Sequence, residues 1–184
     1  MFLVDDSRED TEGWSDIRQT LKRLAEITIL YDKNGIDLHF VSGQADLRSV
    51  LRSQNMEVIL DAFDRNTPPP SDLISLFHKV DKLLSNYVQR FERARDKAER
   101  CGLELDFTNL NLIILTDGRS LLNDMGFKEL KRIIYEWAQK LDNLYAPVGQ
   151  VGMQFVLIGG SEEAWKKVKE LDNKLHLHGK RTTR

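Results

Sequence analysis

The chain alternates two kinds of segment: short apolar runs that stop abruptly at acidic residues, and longer stretches whose apolar residues recur every three or four positions. Phe2, Leu3 and Val4 end at Asp5, Asp6 and Ser7, and Leu110 to Leu115 ends at Thr116, Asp117 and Gly118. Runs without polar alternation suit strands covered on both faces, as in a parallel sheet, and one-faced helices between them are what provides the cover. The pattern therefore predicts an α/β fold: a Rossmann-like, doubly wound, mostly parallel sheet with helices on both faces.

Along the chain, Ile17, Leu21, Leu24, Ala25 and Ile27 predict a helix from about Gly13 to Tyr31, stopped by Asp32, Lys33, Asn34 and Gly35. Ile36 to Val41 reads as the second strand. Leu47, Val50, Leu51, Met56, Ile59, Leu60 and Phe63 predict one or two short helices between Asp46 and Arg65. Pro68, Pro69 and Pro70 force a non-helical loop, because proline lacks a donor and keeps its predecessor out of the α region. Ser71 is the expected N-cap of a long helix carrying Leu73 through Ala98 and stopped by Gly102. After the strand at Leu110 comes a helix with Leu130, Ile133, Ile134, Trp137 and Leu141. A last strand, Val151 to Ile158, precedes a helix capped by Ser161. Trp14, Trp137 and Trp165 fall on helix faces and are expected to be packed or half-buried. Residues 1–178 are expected to form one domain, and 179–184 a basic, disordered tail.

Composition excludes several function classes. The 27 Lys and Arg against 29 Asp and Glu leave a formal charge of −2, so no global positive field gathers phosphate backbones, and no nucleic-acid partner is expected. No apolar run approaches the roughly 20 residues of a membrane span, and no membrane partner is expected. Cys101 is the sole cysteine, which rules out an intrachain disulfide framework. The start of the chain has neither a basic n-region nor a signal-peptide core, so the expected location is cytoplasmic.

Ligands of open parallel sheets bind outside the carboxyl ends of the strands. Asp5, Asp6, Ser7, Arg8 and Glu9 follow the first strand, Thr67 lies in the proline loop, and Thr116, Asp117 and Gly118 follow the middle strand. Carboxylate and hydroxyl oxygens meeting on one rim are the hard donors that Mg²⁺ prefers. Each piece also has a plainer use, since Asp and Ser close turns through local side-chain to backbone bonds and Asp-Gly is a good turn pair.

FLVDDS, the Asn66-Thr67-Pro68 step, ILTDG and QVGMQFVLIGG, in that order, resemble the von Willebrand factor A domain, especially its compact fungal versions. The resemblance spans nearly the whole chain and implies a metal-ion-dependent adhesion site of the pattern D-x-S-x-S, with a threonine and an aspartate from later loops. Asp5, Ser7, Thr67 and Asp117 match that pattern. Glu9 stands at the second serine, so the implied site is degenerate. The family's hairpin after the second strand and its final strand are not evident in the sequence.

Two functions from different classes follow. The resemblance implies a protein-interaction module, not an enzyme, that presents Mg²⁺ (Ca²⁺ or Mn²⁺ as alternatives) at a site built by Asp5, Ser7, Glu9, Thr67 and Asp117. Its partner would be a protein carrying an acidic side chain. The alternative is a metal-dependent phosphoryl-transfer or hydrolase domain, for which strand-end acids are also typical. No glycine-rich phosphate loop, nucleophile elbow or strand-end lysine accompanies them. Glu9 would add a third negative charge to the rim, so that the site either holds a cation without capturing acidic ligands or stays metal-free and bridged by Arg8.

Overall fold

The computed structural model describes residues 1–6, 11–42, 50–66 and 75–175. Strand β1 (Phe2–Val4) is followed by helix α1 (Thr11–Tyr31), β2 (Ile36–Phe40), β3 (Val50–Ser53), α2 (Met56–Asp64) and α3 (Leu76–Cys101). Then come β4 (Leu110–Thr116), a short α4 (Arg119–Leu122), α5 (Asp124–Asn143), β5 (Val151–Leu157) and α6 (Glu162–Leu175). The strands form one sheet in the order β3-β2-β1-β4-β5. All neighbours are parallel except β2 and β3. The predicted α/β class and mostly parallel sheet are what the structure shows.

Alternation along the central strands divides the core in two. Phe2 and Val4 of β1 and Leu115 of β4 point into a cluster with Ile17, Leu21 and Ala25 of α1 and with Ile59 and Phe63 of α2. Leu3, Leu112 and Ile114 point the other way, into a cluster with Val80, Leu84 and Phe91 of α3 and with Phe127 and Leu130 of α5. Successive side chains on a strand face opposite sides, so an all-apolar β1 serves both layers. The α3 helix stops where expected, at Gly102 in the left-handed region (φ 63°), whose amide reaches back to Glu99.

Two expectations need correction. Val50 to Ser53 was expected to be helical and is instead β3, antiparallel to β2 with a register irregularity between Ile36 and Leu38. β2 and β3 therefore form an antiparallel pair at one edge of the sheet. The irregularity brings the backbone of Arg52 against Gly35, where a Cβ would lie 2.6 Å from the Arg52 carbonyl carbon, and Gly35 adopts φ 81°. Helix in this region is confined to Met56–Asp64, capped by the Asn55 side chain, which accepts from the amides of Glu57 and Val58. The second correction concerns the cap of α3. The residue flanking its first turn is Ser75, in an extended conformation (φ −86°, ψ 146°), and not Ser71, which lies outside the described residues.

The tryptophans divide as well. Trp14 stacks on Phe63 with ring centroids 4.2 Å apart, and Trp137 donates from Nε1 to Asp81 at 2.7 Å. Trp165 is 49% exposed. No helix among the described residues is long and apolar enough to cross a membrane. The tail at 179–184 lies outside the described residues.

Candidate cation site at the strand ends

Beyond Val4 the parity of β1 carries on into the two aspartates and separates their roles. Asp5 keeps the strand pairing, its amide donating to the Leu115 carbonyl at 2.8 Å. It shares the parity of Leu3, whose cluster also holds Leu121 of α4. Its Oδ2 accepts from Thr116 Oγ1 and from Ser120 Oγ, each at 2.6 Å. Asp6 shares the parity of Val4 and joins the loops beside α2. Its Oδ1 accepts from the Ser42 amide at 2.7 Å, and its Oδ2 accepts from the Ser42 hydroxyl and from Asn66 Nδ2, the latter at 3.0 Å. One carboxylate thus faces β4 and α4, and the other ties the end of β2 to the end of α2.

Asp117 follows β4 immediately and is wrapped by the residue two positions on. Its Oδ1 accepts from the Arg119 amide at 2.9 Å, while its Oδ2 faces Arg119 Nε at 3.2 Å. The turn is possible because Gly118 adopts φ 84°, and its amide donates to Thr116 Oγ1 at 2.9 Å. Asp5 and Asp117 are 2% and 6% exposed, so both carboxylates stand nearly out of water, where unbalanced charge is expensive. Among the described residues, hydroxyl donors on Asp5 and a guanidinium beside Asp117 contribute compensation.

Of the five residues expected at the site, Asp5 and Asp117 are brought to the ends of adjacent parallel strands and linked through Thr116. Ser7, Glu9 and Thr67 lie outside the described residues, as does Arg8. Among the described residues no group of three or more His, Cys, Asp or Glu is gathered as a metal cage. The donor chemistry at hand, two carboxylates and two hydroxyls, is hard oxygen and fits a small divalent cation. Thr116 was expected on the rim but not among the ligands, and Ser120 and Arg119 were not expected at the site. Thr116 and Ser120 flank Asp117-Gly118 at positions −1 and +3, a spacing that a tight turn folds back onto the preceding strand, and that was the available signal. Asp6, Ser42 and Asn66 had no such signal, since 36 and 60 residues separate the partners.

Compared with known proteins, the chain matches no family model, no curated protein and no solved structure.

Thr116 is the residue through which the two strand ends communicate, because one hydroxyl donates to Asp5 and accepts from Gly118. Thr116→Val preserves the shape and removes both bonds at a fully buried position. It is expected to lower unfolding free energy by about 1–3 kcal/mol, the range for leaving buried polar groups unsatisfied. Equilibrium urea denaturation measures this, and a change within 0.5 kcal/mol (roughly the scatter of neutral substitutions) would show that the hydroxyl bridge is dispensable.

Proposed function

We propose that this chain is a protein-interaction module of the von Willebrand factor A type, acting inside the cell, with a modified cation site at the carboxyl-end rim of its sheet. The observation that supports it best is the pair of nearly buried carboxylates at the ends of neighbouring parallel strands, Asp5 accepting from two hydroxyls and Asp117 standing beside Arg119. Asp5 and Asp117, with Ser7, Thr67 and Glu9 from the adjoining loops, are the residues proposed to hold Mg²⁺, or Ca²⁺ or Mn²⁺ in its place. A bound divalent cation would supply positive charge for a carboxylate of the partner. Asp5 is oriented for this by Thr116 and Ser120, and Asp6 holds the neighbouring loop ends together without contributing a ligand.

Glu9 is proposed to weaken capture. Three ionised acids around one divalent cation leave the rim at −1, and at an effective dielectric of about 20 two charges 4 Å apart interact by about 4 kcal/mol. The test is binding of an aspartate-bearing peptide to wild type, Glu9→Ser and Asp117→Asn, with and without Mg²⁺. Glu9→Ser is expected to capture the peptide in a Mg²⁺-dependent manner at least roughly tenfold more tightly than wild type, a change equivalent to about 1.4 kcal/mol. Asp117→Asn is expected to abolish the dependence. Equal capture by wild type and Glu9→Ser removes the self-blocking role of Glu9, and the absence of any Mg²⁺-dependent binding removes the cation site. Mg²⁺-dependent hydrolysis of phosphate esters that disappears in Asp5→Asn would replace the binding module with an enzyme.

A further inference from the structure

The two edges of the sheet differ. At one, β3 carries an exposed Arg52 and meets β2 with a register irregularity, both of which discourage a further strand. At the other, β5 pairs with β4 along its whole length, and its sequence VGMQFVL holds neither a charge nor a proline. The Leu110 amide donates to the Gln150 carbonyl and the Ile158 amide to the Thr116 carbonyl, so the even-numbered residues of this stretch turn their backbone groups to β4. In a parallel pair the alternate residues aim theirs the other way. Val151, Met153, Phe155 and Leu157 accordingly present N–H and C=O to the outer edge, where no further strand follows among the described residues.

Helix α6 extends that edge on one face of the sheet. Ala164 and Leu171 are buried, while Lys167 and Glu170 face α5 through Asp124 and Lys131. At 3.6 residues per turn Trp165 falls on the opposite flank of α6. Because α5 is tied to α3 on its other side by Trp137 and Lys140, this flank looks outward past β5, and Trp165 is 49% exposed there.

We infer that the outer edge of β5 and the Trp165 flank of α6 form a self-association surface, on which a second copy of this chain adds its own β5 antiparallel about a two-fold axis through Gln154. The strand is self-complementary in that register. Met153 stands opposite Phe155 and Val151 opposite Leu157, so the outward N–H and C=O groups exchange hydrogen bonds pair by pair, and all of these side chains share one face. On the other face Gly152 meets Val156, and Gln154 meets its own copy. Apolar groups meet apolar groups, an amide meets an amide, and no like charges are opposed. The axis stands perpendicular to the sheet, so both α6 helices lie on the same face with their Trp165 flanks toward each other. A specific dimer takes about 800 Å² from each partner, more than a strand edge offers, and the α6 flank supplies the second layer. The formal charge of −2 opposes such pairing only weakly.

Sedimentation equilibrium of the full chain up to about 200 µM tests this, with an expected dimer Kd of about 10 µM for wild type. Gln154 is exposed, so its replacement leaves the fold intact. Gln154→Lys and Gln154→Glu each set like charges opposite one another at a Cα separation of about 4.5 Å, and each is expected to weaken the dimer about tenfold or more. An equimolar mixture of the two variants sets opposite charges there and is expected to return to within about threefold of wild type. Trp165→Ala is expected to weaken the wild-type dimer about fivefold. Wild type that stays monomeric at about 200 µM overturns the inference. A dimer that both Gln154 variants leave unchanged overturns it too, because another surface then joins the copies. A mixture that regains no more dimer than either variant alone overturns the two-fold register at Gln154.

Discussion

Asp6→Ala is expected to be among the most destabilising single substitutions in the molecule, lowering unfolding free energy by roughly 3–5 kcal/mol. The carboxylate has no exposed surface and accepts from three donors: the Ser42 amide, the Ser42 hydroxyl and the Asn66 amide nitrogen. Truncation leaves all three donors without this acceptor, and each unsatisfied buried donor costs about 1–3 kcal/mol before any relaxation. Against a typical stability of about 5–15 kcal/mol, that loss takes a large share of the folded population at moderate denaturant. Asp6→Asn separates shape from acceptor capacity. It keeps the volume but turns one acceptor into a donor, which must face either Ser42 or Asn66, so it too is expected to destabilise, by roughly half as much. Urea denaturation monitored through tryptophan fluorescence reads both variants, Trp14 and Trp137 being packed against their surroundings. A loss below about 1 kcal/mol for Asp6→Ala would mean that the loop ends are held by something other than this carboxylate.

Gly118→Ala is the second. Its backbone sits at φ 84°, where a side chain is strained, and a Cβ would lie 2.6 Å from the Ala164 Cβ and 2.7 Å from Leu157 Cδ1. The left-handed conformation costs of order 1 kcal/mol for a non-glycine residue, and overpacking adds about 1–3 kcal/mol, for a combined loss of roughly 2–4 kcal/mol. The two contacts respond differently. Leu157 Cδ1 is the end of a flexible side chain, but Ala164 Cβ is fixed to the backbone of α6, so α6 itself must shift. Ala164→Gly removes that contact at the expense of about 1 kcal/mol of helix propensity. In a double-mutant cycle the pair is expected to show a favourable coupling of about 1 kcal/mol or more, because the second substitution makes room for the first. Strict additivity would show that the strain at Gly118 is conformational alone and that α6 does not press on the turn. Because Gly118 separates Asp117 from Arg119, the single variant is also expected to loosen the Asp117 carboxylate at the rim.

The outcome at β3 shows where local reading runs out. Val50 and Leu51, followed by Met56, Ile59, Leu60 and Phe63, fit a helical period, and nothing within Val50–Ser53 contradicts it. The segment is a strand because β2 offers an edge to pair with and Gly35 lets the Arg52 backbone approach closely. Leu51 is exposed there, so its apolar character misled a period count. By contrast, β1, β4 and β5 were legible because each is a short apolar run closed by polar or glycine residues. The helices α1, α3 and α5 were legible because their apolar stripes are long.

The site divides in the same way. That Asp5 and Asp117 stand at the same rim was legible because the carboxyl ends of parallel strands share one edge of the sheet, a property of the topology that the apolar runs already imply. Whether neighbouring acids act together was not identifiable. Asp5 and Asp6 are adjacent in the chain yet serve different loops, and only the alternation of a strand end, extended past its last paired residue, separates them.

By itself, then, the sequence determined the layering: which runs are buried on both faces, which helices cover them, and which acids stand at strand ends. These follow from local periodicity and from the hydrophobic effect acting on each segment. Tertiary structure decided the partners: Ser42 and Asn66 for Asp6, and Thr116 and Ser120 for Asp5. Hydrogen bonds and ion pairs are short-ranged and directional, so distant residues become partners only after the sheet has brought their backbones within about 3 Å of reach, and no local pattern encodes that approach.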